Sequence, residues 1–166
     1  MFFNACFVTD HPVPEDKWLA TGGHHSFDPF VALTLAASCT TRIKLMTNII
    51  VLPYRNPFLV AKSATSLDVI SNGRLILGTG AGYLKGEFEA LGIDMEDRGQ
   101  RMKDAYKAIK LAWSGDSFSY QGTHFNAPGN TVLPTPIQKP HPPIWVGGNS
   151  KAAMRRAAQY CDGWLP

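Results

Sequence analysis

The chain has 166 residues, 17% of them charged and 45% hydrophobic, which suits one globular domain with a buried core and excludes a disordered protein. Sixteen basic residues against thirteen acidic ones give a formal charge of +3 with no long run of one sign, so nothing marks a nucleic-acid partner. No stretch approaches the ~18 apolar residues of a membrane span, the start lacks the basic region of a signal peptide, and the dispersed cysteines Cys6, Cys39 and Cys161 are expected to be reduced and buried; together these suit a cytoplasmic protein without a membrane partner.

Residues 3–8 are a short apolar run that ends abruptly in Thr9, Asp10, His11 and Pro12. That pattern predicts a buried strand whose carboxyl end presents an acid and an imidazole. Residues 12–27 hold two prolines, Gly22, Gly23, His24 and His25 with little periodicity, so a long loop of functional character is expected. His24 and His25 share no face with a nearby acid, and no metal site is expected there. Asp28 and Pro29 open a helix, with Asp at the cap and Pro at the first position, and Phe30, Leu33 and Ala37 on its inner side.

Residues 43–52 read as a second strand, apolar apart from a few positions that include Thr47 and Asn48. A turn over 53–57 leads into a helix to Ser71, which Asn72 and Gly73 stop. Residues 74–78 are a buried strand, followed by glycines at alternate positions, Gly78, Gly80 and Gly82, then Tyr83 and a helix with Glu87, Phe88 and Leu91. Alternate glycines let a main chain approach a flat or anionic ligand, but a tight strand-to-helix turn has the same spacing. A dinucleotide fingerprint fails because its third glycine would stand at Tyr83, and no phosphate-loop Gly-Lys-Ser/Thr follows.

The longest helix is predicted over 98–113, with Met102, Tyr106, Ile109 and Trp113 as a core stripe and its lysines on a solvated face. Residues 118–125 alternate around Gly122 as an excursion hairpin, and 128–143 hold six prolines as an extended connector. His124 and His141 are expected at the surface. Residues 144–148 are another short strand; Asn149 and Ser150 cap a helix to about Tyr160, and 162–165 begin a further strand.

Repeated alternation of strand and helix predicts a parallel sheet with right-handed crossovers, and polar residues and glycines cluster at the strands' carboxyl ends. In a (β/α) barrel that face carries the active site; eight strands take about 250 residues, and five barrel strands are counted here.

Thr9-Asp-His11, Leu52-Pro-Tyr-Arg-Asn-Pro57, Leu67-Asp-Val-Ile-Ser-Asn-Gly-Arg74, Gly78-Thr-Gly-Ala-Gly-Tyr83 with Glu87, Pro142-Pro-Ile-Trp-Val-Gly-Gly148 and Asp162-Gly-Trp164 together resemble the luciferase-like monooxygenase superfamily, most of all its F420-dependent oxidoreductases. The resemblance implies an α/β fold of the (β/α)8 TIM-barrel type, present as strands two to six: an incomplete barrel in one partial domain over 1–166, with the hairpin and connector at about 116–143. It implies that His11 exchanges the substrate proton with Asp10 orienting it. Asn48 and Ile49 would form a bulge, often with a non-prolyl cis peptide, behind the cofactor ring; Gly80, Gly82 and Tyr83 would cover the pocket; Gly147, Gly148, Asn149 and Ser150 would hold the cofactor phosphate through main-chain N–H groups, as a glycine turn into a helix can. The cofactor so implied is coenzyme F420, with FMN as the alternative, and the activity is hydride transfer to or from a small organic substrate. An FMN-dependent monooxygenase and a non-catalytic partial barrel are the alternatives. Sugar-phosphate dehydrogenases of the family carry tryptophan four residues after the histidine; here Glu15 stands there, which disfavours glucose 6-phosphate. Open sheet edges and an apolar interior lead to the expectation of a homo-oligomer.

Overall fold

The structure, a computed structural model, describes residues 3–166. In chain order its elements are β1 (Ala5–Val8), α1 (Asp16–Ala20), α2 (Pro29–Cys39), β2 (Lys44–Thr47), β3 (Ile50–Val51), a 3-10 turn (Leu52–Tyr54), α3 (Pro57–Ile70), β4 (Leu75–Gly80), α4 (Lys85–Ala90), α5 (Arg98–Ala112), β5 (Phe118–Gln121), β6 (Asn126–Asn130), β7 (Ile144–Gly147), α6 (Lys151–Tyr160) and β8 (Gly163–Leu165). The parallel sheet runs β1-β2-β4-β7-β8, with β3 beside the far end of β4; β5 and β6 form a separate antiparallel pair. The sheet does not close, and the fold is a partial α/β barrel.

β2 and β3 are one barrel strand interrupted at Asn48–Ile49. Met46 pairs with Ile76 and Ile50 pairs with Thr79, so four steps along one strand oppose three along its neighbour. That is one extra residue, a bulge. It divides the single strand expected over 43–52, and the count of five barrel strands holds when β2 and β3 are taken together.

Helix starts follow their caps. The Asp28 carboxylate accepts from the N–H groups of Phe30 and Val31, Asn56 from Phe58, and Ser150 from Ala153. The stop after α3 places Asn72 and Gly73 at φ +55° and +74°, and the Gly73 N–H returns to the Asp68 carbonyl. Leu45, Leu75, Leu77, Ile144 and Val146 from the sheet pack against Leu33, Val60, Leu67, Met102, Tyr106 and Ile109 from the helices. Each fully buried large side chain contributes about 1.5–3 kcal/mol.

Buried charge on this side is bonded to main chain, a hydroxyl and an amide. Arg74, 7% exposed, donates to the carbonyls of Ala37, Thr40, Ile43 and Ser71 and to the Thr40 hydroxyl. It thereby closes the carboxyl ends of α2 and α3 where their dipoles are negative. Asp68 accepts from the N–H groups of Ile137 and Gln138 and from the Gln138 amide, which ties the proline-rich connector to α3.

Several expectations need correction. The 12–27 loop contains α1, a helix of only five residues. The hairpin's second strand lies beyond residue 125, in a sequence of poor strand formers that pairs because Gly122 turns the chain back to Phe125. Cys39 is exposed and Cys6 and Cys161 are half-buried, all three free of disulfides. His124 is half-buried: the hairpin folds back on α5, Asp104 accepts the His124 N–H at 3.1 Å, and Nε2 lies 3.2 Å from Asp97. His141 is likewise covered, its ring 5.6 Å from that of Trp113. Among the described residues no helix is long and apolar enough to cross a membrane.

Candidate active site

At the carboxyl ends of β2, β4 and β7 the chain leaves a cleft of about 410 Å³. Its lining brings together Asn48, Ile49, Gly80, Gly82, Tyr83, Gly147, Gly148, Asn149 and Ser150, all nine residues for which the resemblance implies cofactor contact. The Asn48–Ile49 peptide is cis. A side chain at Gly80 would collide with the Ile49 Cδ1, and one at Gly82 would lie 2.7 Å from a Val51 methyl, so both glycines keep the floor low. Gly148, at φ +115°, turns the chain from β7 into α6, whose first N–H groups point outward at a positive helix end. Arg156, from the second turn of α6, lines the same cleft and adds a cation that sequence reading did not single out.

His11 lies beside this cleft, its ring 6.1 Å from Tyr83 and edge-on to it. Trp18 of α1 packs 4.4 Å from the imidazole and His24 lies at 5.2 Å, while the His11 N–H donates to Ser26. The loop over 12–27 therefore walls the histidine with aromatic rings. Trp18 is seven residues after His11, not four; Glu15, at the fourth position, instead accepts from the Gly86 N–H and ties the loop to the start of α4.

Asp10 does not touch His11. One oxygen accepts from the Val51 N–H at 2.9 Å and the other from Arg55 at 2.8 Å, so the carboxylate fixes β3 and the turn after it. This corrects its expected orienting role: a strand-end side chain adjacent in sequence points to the opposite side. Arg55 also donates to Asp28 at 2.8 Å. Burial works against the Asp28 charge, but Arg55 and the N–H groups of Val31 and Phe30 hold its carboxyl below the ordinary value.

The acid that faces His11 is Glu87. Its side chain is 1% exposed, its Oε2 lies 3.4 Å from the His11 Nδ1, and the Tyr54 hydroxyl donates to the same oxygen at 3.0 Å. Burial, reinforced by the Glu87 charge, pushes the Tyr54 phenol well above its usual range. The His11 Nδ1 and Glu87 Oε1 are both buried without a hydrogen-bond partner. Among the described residues no group of three or more His, Cys, Asp or Glu is placed to hold a metal.

The sequence profile of the luciferase-like monooxygenase family matches residues 3–166. The oxygenase component of flavin-dependent trigonelline monooxygenase from Acinetobacter baylyi is 33% identical over 162 residues, covering 93% of this chain and 44% of that protein. F420-dependent glucose-6-phosphate dehydrogenase from Microbacterium testaceum is 30% identical, covering 99% of this chain and 48% of that protein. An F420-dependent secondary alcohol dehydrogenase in complex with an F420-acetone adduct superposes with a TM-score of 0.83 at 22% identity, over 98% of this chain and 48% of that one, a likeness of fold. The chain spans about half the length of these proteins.

Proposed function

The chain belongs to the luciferase-like monooxygenase family, and from that premise we propose that it carries the redox site of an oxidoreductase, with a flavin-type ring and phosphate held in the cleft and His11 exchanging one proton with a small organic substrate. The observation that supports this most is placement: cleft residues from three strand ends meet the histidine from a fourth through one ring, Tyr83.

The residues fit such a group. Gly147, Gly148, Asn149 and Ser150 lead into a helix start that suits a phosphate, and Arg156 supplies a guanidinium on the same wall. Asn48 and Ile49 form a flat backing, kept low by Gly80. Tyr83 and Trp18, with rings 6.5 Å apart, narrow the approach to His11.

Coenzyme F420 is the first reading: when bound, this deazaflavin supplies a two-electron hydride carrier that reacts poorly with oxygen. Hydride transfer leaves the protein one proton to manage, and His11 beside a buried carboxylate suits that task. Reduced FMN in a monooxygenase is the second reading, favoured by the 33% identity to a flavin-dependent relative. Glucose 6-phosphate is not carried over, because Glu15 occupies the position after His11 where a tryptophan would stand and is engaged with Gly86. Self-association belongs to this reading too: Phe27, Val31, Leu35 and Leu59, on α2, α3 and the loop before α2, are each at least 69% exposed.

Side-by-side fluorescence titration of the chain with F420 and FMN tests the assignment. Saturable, selective binding of F420 supports hydride transfer, and preference for FMN moves the protein to the monooxygenase reading. A folded chain that binds neither overturns the redox site and leaves a non-catalytic partial barrel.

A further inference from the structure

We propose that Glu87 is the positioning residue for His11: it keeps a proton on Nδ1 and so leaves Nε2 as the nitrogen that accepts the substrate proton. This rests on the redox reading above for its purpose, but not for its measurement.

Three observations converge. Glu87 is 1% exposed and held by the Tyr54 hydroxyl, so its Oε2 is fixed in place. Among the described residues His11 is the basic side chain paired with it, because Arg55 is spent on Asp10 and Asp28. Asp10, the sequence neighbour, has its two oxygens held by the Val51 N–H and Arg55, and neither is bonded to the imidazole.

At 3.4 Å the Nδ1 contact is longer than a tight hydrogen bond, and Nδ1 is a buried ring nitrogen with no other partner. Trp18, His24 and Tyr83 surround the ring and limit its rotation, so a small turn toward Oε2 is the movement that satisfies it. Unliganded sites commonly hold such contacts long and tighten them when substrate arrives. A carboxylate accepts a proton's hydrogen bond and cannot donate, so the protonated nitrogen is the one facing it. When Nε2 then takes a proton, the imidazolium charge is balanced by Glu87 without any transfer to it.

The tautomer is read directly by long-range proton–nitrogen NMR on the full chain labelled in histidine, with the His11 signals assigned by their loss in His11→Asn. The expected pattern in mildly alkaline buffer is a protonated Nδ1 and a bare Nε2 for most of the population. Glu87→Gln should at least halve that population, whereas Asp10→Asn should leave Nδ1 protonated. A proton on Nε2 in the parent chain, an unchanged pattern in Glu87→Gln, or a switch in Asp10→Asn would each overturn the assignment. If Glu87→Gln does not fold, the parent and Asp10→Asn spectra still decide. The measurement needs neither cofactor nor turnover, so its failure is distinct from a failure of the cofactor titration.

Discussion

On the helix side of β4 the buried Arg74 and Asp68 are bonded mostly to main chain, with the Thr40 hydroxyl and the Gln138 amide completing the set, while at the carboxyl end of the same strand His11 and Glu87 each keep a buried atom unpartnered. The first arrangement spends polar groups on closing helix ends and pinning a connector. The second leaves an imidazole and a carboxylate room to tighten on each other. The difference teaches that burial alone does not mark a functional charge; unfilled hydrogen bonds beside a cleft are the further sign.

Removing Arg74 should break the comparison most severely. Arg74→Ala strands the carbonyls of Ala37, Thr40, Ile43 and Ser71 at once and is expected to cost about 3 kcal/mol or more, read as a fall in urea midpoint. Arg74→Lys should recover little, since a single ammonium cannot reach both helix ends. If Arg74→Ala melts like the parent, the helix side is not the stabilising side.

Asp68→Ala should cost about 2 kcal/mol and act locally, leaving the Ile137 and Gln138 N–H groups without their acceptor. Hydrogen exchange should rise in the connector before it rises in the sheet. The opposite side is tested by Gly80→Val, whose branched side chain would displace Ile49; cofactor binding should fall at least tenfold while the melting temperature moves little by comparison.

A smaller effect concerns alkaline pH. Unfolded phenols ionise near pH 10, whereas burial holds Tyr54 and Tyr106 protonated above that, helped at Tyr54 by the Glu87 charge. The folded state thus binds the proton more tightly, so this stability is complete below pH 10 and is lost as pH rises beyond it. Tyr106→Phe should flatten that alkaline limb, as read by pH-dependent denaturant unfolding. Smallest on stability is Leu35→Lys, on the exposed side of α2: within about 0.5 kcal/mol in the melt, but with reduced self-association by light scattering.

Most of the scaffold was legible from local signals. Asp28-Pro29, Asn56-Pro57 and Ser150 each announce a helix start by a hydrogen bond made within three residues, and Asn72-Gly73 announces a stop the same way. The cleft residues were legible because glycines and a capped helix sit at strand ends. What was missed depends on separation: Glu87 meets Tyr54 across 33 residues, and His124 meets Asp97 across 27, distances over which a linear pattern carries no register. Asp10 was misread for the converse reason, since adjacency in a strand end implies opposite directions and not contact. β6 escaped because Asn126–Asn130 has no strand-forming side chains, and its pairing is imposed by the turn.

The extra residue between β2 and β3 works as a phase shifter. Before it, odd-numbered Leu45 faces the helices; after it, even-numbered Ile50 and Leu52 do. Losing one residue there would turn four steps into three and match β4 one for one, so Ile50 and Leu52 would keep facing the helices while the bulge that backs the cleft would vanish. A deletion of one in this segment is therefore felt by the cleft and not by the helix layer: the core keeps its residues and the site loses its floor.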